Sequence, residues 1–166
     1  DEIIERFGYE AQYIVPFSTV EQLSHASEAA ATIHICPSLS TYMGAGLNQL
    51  HGVPEVLVPP AYGVAGTDRW LRALGKVLGK EDIAEEIIKE GHEKYVPEID
   101  KLKEKFKGKR AYVTAGAAHG QALITLLNEL GFEVVGAAVF HHDPVYDSGD
   151  DKLDILGQAV KNYGDV

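Results

Sequence analysis

The chain contains one cysteine, one methionine and one tryptophan in 166 residues. A single thiol excludes an internal disulfide framework, and without a basic, then apolar, leader at the start the expected setting is reducing and cytoplasmic. Basic side chains are scarce as well: 15 Lys+Arg stand against 25 Asp+Glu, a formal charge of -10. That balance repels phosphates, so nucleic acid is not an expected partner. Apolar runs stay strand-sized, short of the ~20 residues a membrane helix needs, so no membrane partner is expected either. The acidity suits solubility and would suit a basic protein partner, but an ordinary solvated surface accounts for it equally. Asp1 opens the chain in place of methionine, and Gly164-Asp165-Val166 ends it where a helix finishes and a strand is due. A piece cut from a longer polypeptide is expected.

What is present is a recurring β-α-β pattern. A composition of 45% hydrophobic and 24% charged residues fits one ordinary domain or two small lobes. Residues 2–7 read as a helix stopped by Gly8, and 11–15 as a short strand ending at Pro16. Ser18 and Glu21 form a capping-box pattern for a helix over 19–25. The apolar run 29–36 reads as a strand closed by Cys36. A helix from Ser38 to Leu50, stopped by Gly52, follows, and a strand over 53–58 completes the unit. Thr67 is a plausible N-cap for a helix reaching Leu78, and 81–107 reads as a long charged helix that Pro97 should kink or break. A second unit then begins: strand 111–114, a turn at Gly116, helix 118–130, a stop at Gly131, and strand 132–140. A last helix is expected over 151–163. The expected class is α/β, with Rossmann-like parallel β-α-β lobes: 1–66 as a first lobe carrying Cys36, 67–108 as a helical connector, and 109–166 as a second lobe.

Three constellations could carry chemistry. Cys36 lies at the carboxyl end of a probable parallel strand, where open α/β sheets bind ligands, and it is either a soft metal donor or a packed small hydrophobe. His34, two residues earlier, shares its side of an extended strand, but two ligands do not make a closed zinc site, and no cysteine-protease signature accompanies the thiol. The turn Ala115-Gly116-Ala117-Ala118-His119-Gly120 joins strand to helix as a phosphate loop would, yet it lacks G-x-G-x-x-G and a Walker lysine. Small residues are also what any tight strand-helix junction demands. The loop His141-His142-Asp143-Pro144-Val145-Tyr146-Asp147 offers imidazoles and carboxylates for a metal or for acid/base work, or simply caps the next helix. A zinc-dependent hydrolase built on that loop stays open as a lesser reading.

The order of these pieces resembles the middle of a nitrogenase component 1 subunit, in the family of molybdenum-iron proteins, their cofactor-assembly scaffolds and related reductases. The residues carrying the resemblance are His34-Ile35-Cys36, Tyr42, Gly52-Val53-Pro54, Gly108-Lys109-Arg110-Ala111-Tyr112-Val113, the small-residue turn, Leu130-Gly131-Phe132-Glu133-Val134-Val135-Gly136, and the loop from His141 to Tyr146. The resemblance implies that Cys36 is a thiolate ligand to an iron-sulfur metallocluster in the full-length parent. It implies that Ser38, Gly116 and Ala117 adjoin that cofactor, and that His119, His141 and His142 line the pocket and supply hydrogen bonds or protons. It also implies a homologous second subunit in an αβ assembly and an ATP-driven iron-sulfur reductase as electron donor. The fragment alone is expected to bind no cofactor and to be inactive, because the family's other ligands lie outside it.

Two departures narrow this. Pro37-Ser38-Leu39 stands where catalytic subunits carry a polar Arg-Ser, and Ala115-Gly116-Ala117-Ala118-His119 stands where they carry a glycine-arginine loop. Positive charge that would stabilise an anionic cofactor is missing, which favours a scaffold or nitrogenase-like reductase. The competing class is a non-catalytic Rossmann-like module that holds a small anionic or tetrapyrrole ligand, with Cys36 merely packed.

Overall fold

The computed structural model describes residues 1–15 and 17–139, without the side chains of residues 37–39. The expected last helix, the His141-His142 loop and Pro16 lie outside the described residues. Helix α1, Glu2–Arg6, ends where Gly8 takes a φ of 78°, and Phe7 turns into the core with its carbonyl held by the ammonium of Lys80. Residues 11–15 form no strand. No strand among the described residues pairs with them, and Tyr13, Ile14 and Val15 are exposed.

Helix α2, Val20–Ser24, carries its capping box one position later than the sequence suggested. Thr19 Oγ1 accepts from Gln22 N at 3.2 Å and Gln22 Oε1 accepts from Thr19 N at 2.9 Å. The Ser18 hydroxyl instead accepts from Val15 N at 2.8 Å. A 3-10 turn, His25–Glu28, leads to β1, Thr32–Ile33. That strand is much shorter than expected, so Cys36 lies three residues beyond its end.

Helix α3, Pro37–His51, has proline in its first turn and closes on Gly52, whose φ of 73° supplies the left-handed cap. Strand β2, Glu55–Val56, then returns parallel to β1, with Thr32 opposite Glu55 and Ile33 opposite Val56. Helix α4, Gly63–Leu78, begins a turn earlier than expected: Tyr62 is its N-cap, and Thr67 sits inside it, donating to Gly63 O at 2.6 Å. Helix α5, Glu81–Phe106, runs through Pro97 as one helix, so the proline does not break it in two. The proline forfeits one N–H, and packing at both ends of the helix outweighs that loss.

Leu71 and Leu74 of α4 and Ala84, Ile87 and Ile88 of α5 form the first core with Phe7 and Val56. A Cβ added at Gly75 would come within 2.8 Å of Ala84 Cβ, so glycine permits this close helix pairing. Strand β3, Arg110–Ala115, pairs parallel with β4, Glu133–Val139, across α6, Ala117–Glu129. Val113, Ala117, Ile124 and Val134 form the second core. Phe106 stacks on Phe132 at 4.7 Å between ring centres, which ties the end of α5 to this unit. The result is an α/β fold of two parallel β-α-β units with Rossmann-like connections, each sheet having two strands among the described residues.

Candidate functional site

Cys36 is the N-cap of α3, in extended conformation at φ -129° and ψ 101°, with a free, half-buried thiol. Its own side chain does not cap the helix. The aligned peptides of α3 put positive partial charge at this end, which suits an anionic donor or ligand.

Behind the cysteine lies a buried polar chain. The His34 ring is fully buried, its Nδ1 lies 2.6 Å from Ser40 Oγ, and its Nε2 lies 3.1 Å from Glu55 Oε2. Ser40 Oγ donates in turn to the carbonyl of Cys36 at 3.0 Å. The run from Glu55 through His34 and Ser40 therefore ends on the backbone of the cysteine. Gly44 of α3 makes room for it, since a Cβ there would strike the Glu55 carboxylate and come within 2.6 Å of the His34 ring. The composition evokes a hydrolytic triad, but the serine proton is committed to the Cys36 carbonyl and the imidazole is sealed from solvent. The relay itself therefore presents no hydroxyl nucleophile.

His119, in the first turns of α6, makes a different contact. Its Nδ1 lies 3.0 Å from Tyr62 Oη, on the loop between β2 and α4, so the two β-α-β units meet there. Gly116 is the N-cap of α6, while Ala117 and Ala118 are buried, which gives the small-residue turn a packing role. Ser38 lies in the first turn of α3, within two residues of Cys36 in sequence. His141 and His142 lie outside the described residues.

No hydrogen bond among the described residues links Cys36 to His119. Nor do those residues include a group of three or more His, Cys, Asp or Glu side chains able to hold a metal ion. The donor chemistry nevertheless fits an iron-sulfur cluster at one ligand: a half-buried thiol, in no disulfide among the described residues and not spent on capping the helix, at a helix N-terminus.

Four participants escaped the sequence reading. Ser40 and Glu55 gave no signal, because a serine in an amphipathic helix and a glutamate at a strand end look solvated. Tyr62 could have been suspected only from its place after the strand-ending Pro59-Pro60. Glu129 reaches from the end of α6 to accept from Val64 N and Ala65 N, both at 2.7 Å, and thereby caps α4 from another helix.

Residues 1–163 match the family model described as nitrogenase component 1 type oxidoreductase. The chain is similar to the nitrogenase molybdenum-iron protein alpha chain of Methanosarcina barkeri, 29% identical over 87% of this chain and 28% of that protein. It is also similar to the nitrogenase iron-molybdenum cofactor biosynthesis protein NifE of the same organism, 33% identical over 71% of this chain and 26% of that protein. It thus spans little more than a quarter of these relatives. A solved structure described as "Nitrogenase Cp1 at pH 5" shares the fold with a TM-score of 0.71 at 22% identity, over 86% of this chain and 30% of that one. No helix among the described residues is long and apolar enough to cross a membrane.

Proposed function

The chain belongs to the nitrogenase component 1 type oxidoreductase family, and on that premise we propose that it is the central segment of a nitrogenase-like oxidoreductase or cofactor-assembly scaffold. In the longer protein Cys36 is a thiolate ligand to an iron-sulfur metallocluster. The observation that supports this is the thiol's situation: half-buried, in no disulfide among the described residues, and set on a helix N-terminus whose backbone is pinned from behind. When bound, the cluster supplies one-electron redox chemistry.

The chain's own residues bind and orient. Cys36 provides the soft donor, and the first turn of α3, with Ser38, faces the ligand with backbone N–H groups. His119, steadied by Tyr62, together with Gly116 and Ala117, borders the pocket from the second unit, and its ring can hold or pass a proton. His141 and His142, outside the described residues, are assigned to the same cofactor on the family resemblance alone. The partners are a homologous second subunit and an ATP-driven iron-sulfur reductase that delivers electrons. Missing arginines near Cys36 and in the Gly116 turn favour a scaffold or a related reductase over a subunit holding the same molybdenum cofactor.

Anaerobic iron-sulfur reconstitution of the full-length parent tests the reading. Cys36→Ala is expected to bind clearly less iron than wild type. Equal iron content in the two proteins removes Cys36 as a ligand.

A further inference from the structure

We infer that Glu55, His34 and Ser40 act together as a positioning device for Cys36, setting the direction of its thiol before any ligand arrives. This rests on the reading of Cys36 as a ligand, but its evidence is separate. A fully buried imidazole and a carboxylate whose side chain is only 12% exposed are costly to desolvate, and an apolar pair would fill the same space. Both imidazole nitrogens are nonetheless partnered, and Gly44 gives up its side chain to admit them. The far end of the chain of bonds is the Cys36 carbonyl, so that is where its effect is delivered.

Two constraints then meet at Cys36. Pro37 confines the residue before it to extended backbone, as Cys36 shows at φ -129° and ψ 101°, and the Ser40 hydroxyl donates to the Cys36 carbonyl. The Cys36 backbone is left with little freedom, and the thiol is presented in one direction. Preorganisation of this kind lowers the ordering cost of ligand binding. His34, Ser40 and Glu55 are positioning residues, because none of them is argued to touch the ligand.

Cys36 is the single cysteine of the 166-residue chain, which makes a test on that chain site-specific. The rate at which Cys36 reacts with a chromogenic aromatic disulfide is measured on the full, metal-free chain. Ser40→Ala is expected to react about fivefold faster, the population change that one net hydrogen bond carries. Ser40→Thr, which keeps the hydroxyl, is expected to restore the wild-type rate. Thr125→Ala serves as control, since it removes the same kind of bond inside α6, from Thr125 Oγ1 to Gln121 O at 3.0 Å. Its Cys36 rate should equal that of wild type. His34→Gln is read alongside, in case Ser40→Ala does not fold, and should also react faster. An unchanged or slower rate in the relay variants, or an equal rise in Thr125→Ala, overturns the inference. Because no iron is present, failure of the ligand reading would leave these rates interpretable by themselves.

Discussion

Glu129 fills the space that a side chain at Gly63 would take. Gly63 has a φ of 70°, and a Cβ built on it would strike the Glu129 carboxylate and lie 3.3 Å from Leu126 Cδ1. That vacancy lets the carboxylate reach two N–H groups at the start of α4. A helix terminus that would otherwise attract an outside anion is thus closed by the protein's own charge, and the two units are joined by it.

Removing the cap should be felt as a lost N-cap. Glu129→Ala is expected to lower stability by about 1–2 kcal/mol, read from the denaturant midpoint at constant slope. Gly63→Ala should cost at least as much, and the double variant less than the sum, because both changes break one arrangement. Full additivity would show that the two residues act independently.

The buried chain behind Cys36 leaves no slack at Gly44. Gly44→Ala should destabilise by about 1–3 kcal/mol, the usual penalty for overfilling a packed site, because the Glu55 and His34 side chains must move. Gly46, where an added Cβ meets nothing within 4 Å, is the matched control. Gly46→Ala should be neutral or slightly stabilising by thermal unfolding.

Arg69 of α4 has buried Nε and Nη2 atoms with no hydrogen-bond partner among the described residues. Replacing a half-buried guanidinium that leaves two buried nitrogens unpartnered among the described residues by an apolar side chain of similar length removes a desolvation penalty. Arg69→Met is therefore expected to raise the unfolding midpoint, by about 1–3 kcal/mol. A lower midpoint would show that the guanidinium is paired in solution.

Acid should weaken the attachment of α1 to α5. Arg6 grips Glu90 with two bonds, at 2.6 and 3.0 Å, and the hydrogen bonding first, then the opposite charge, holds the Glu90 carboxyl below its ordinary value of 4.5. Arg72 does the same to Glu85, from α4. A depressed carboxylate contributes stability above its unfolded-state value and loses it as pH falls through the folded one. Stability of wild type should therefore decline between about pH 5 and pH 3, and Glu90→Gln should flatten part of that decline. Both groups are exposed, so added salt should shrink the difference. An identical acid profile in the variant would assign the decline to other carboxylates.

Periodicity made the helices legible, because α4, α5 and α6 bury residues at helical spacing, although α3 leaves Tyr42, Met43 and Leu50 exposed, and Gly8, Gly52 and Gly131 stop the chain where left-handed backbone is needed. Strand lengths were less legible. The run ending in Cys36 is mostly apolar, and nothing in it says that pairing ceases at Ile33, because that depends on the short partner around Val56. The two overlapping capping patterns at Ser18 and Thr19 differ only in which hydroxyl finds an N–H once the chain has turned. Cys36 announced itself by its residue type. Its supports, Ser40, Glu55 and Gly44, could not, since their roles arise from contacts between segments distant in sequence.

Helix α5 sets a measured interval. Its 26 residues rise about 39 Å at 1.5 Å each, from the crossing with Gly75 at one end to the Phe106–Phe132 stack at the other. Inserting or deleting one residue near its middle would turn the distal half by about 100° and swing Phe106 away from Phe132. The helix acts as a strut cut to length, and natural variation in its sequence should accept substitutions far more readily than changes in residue count.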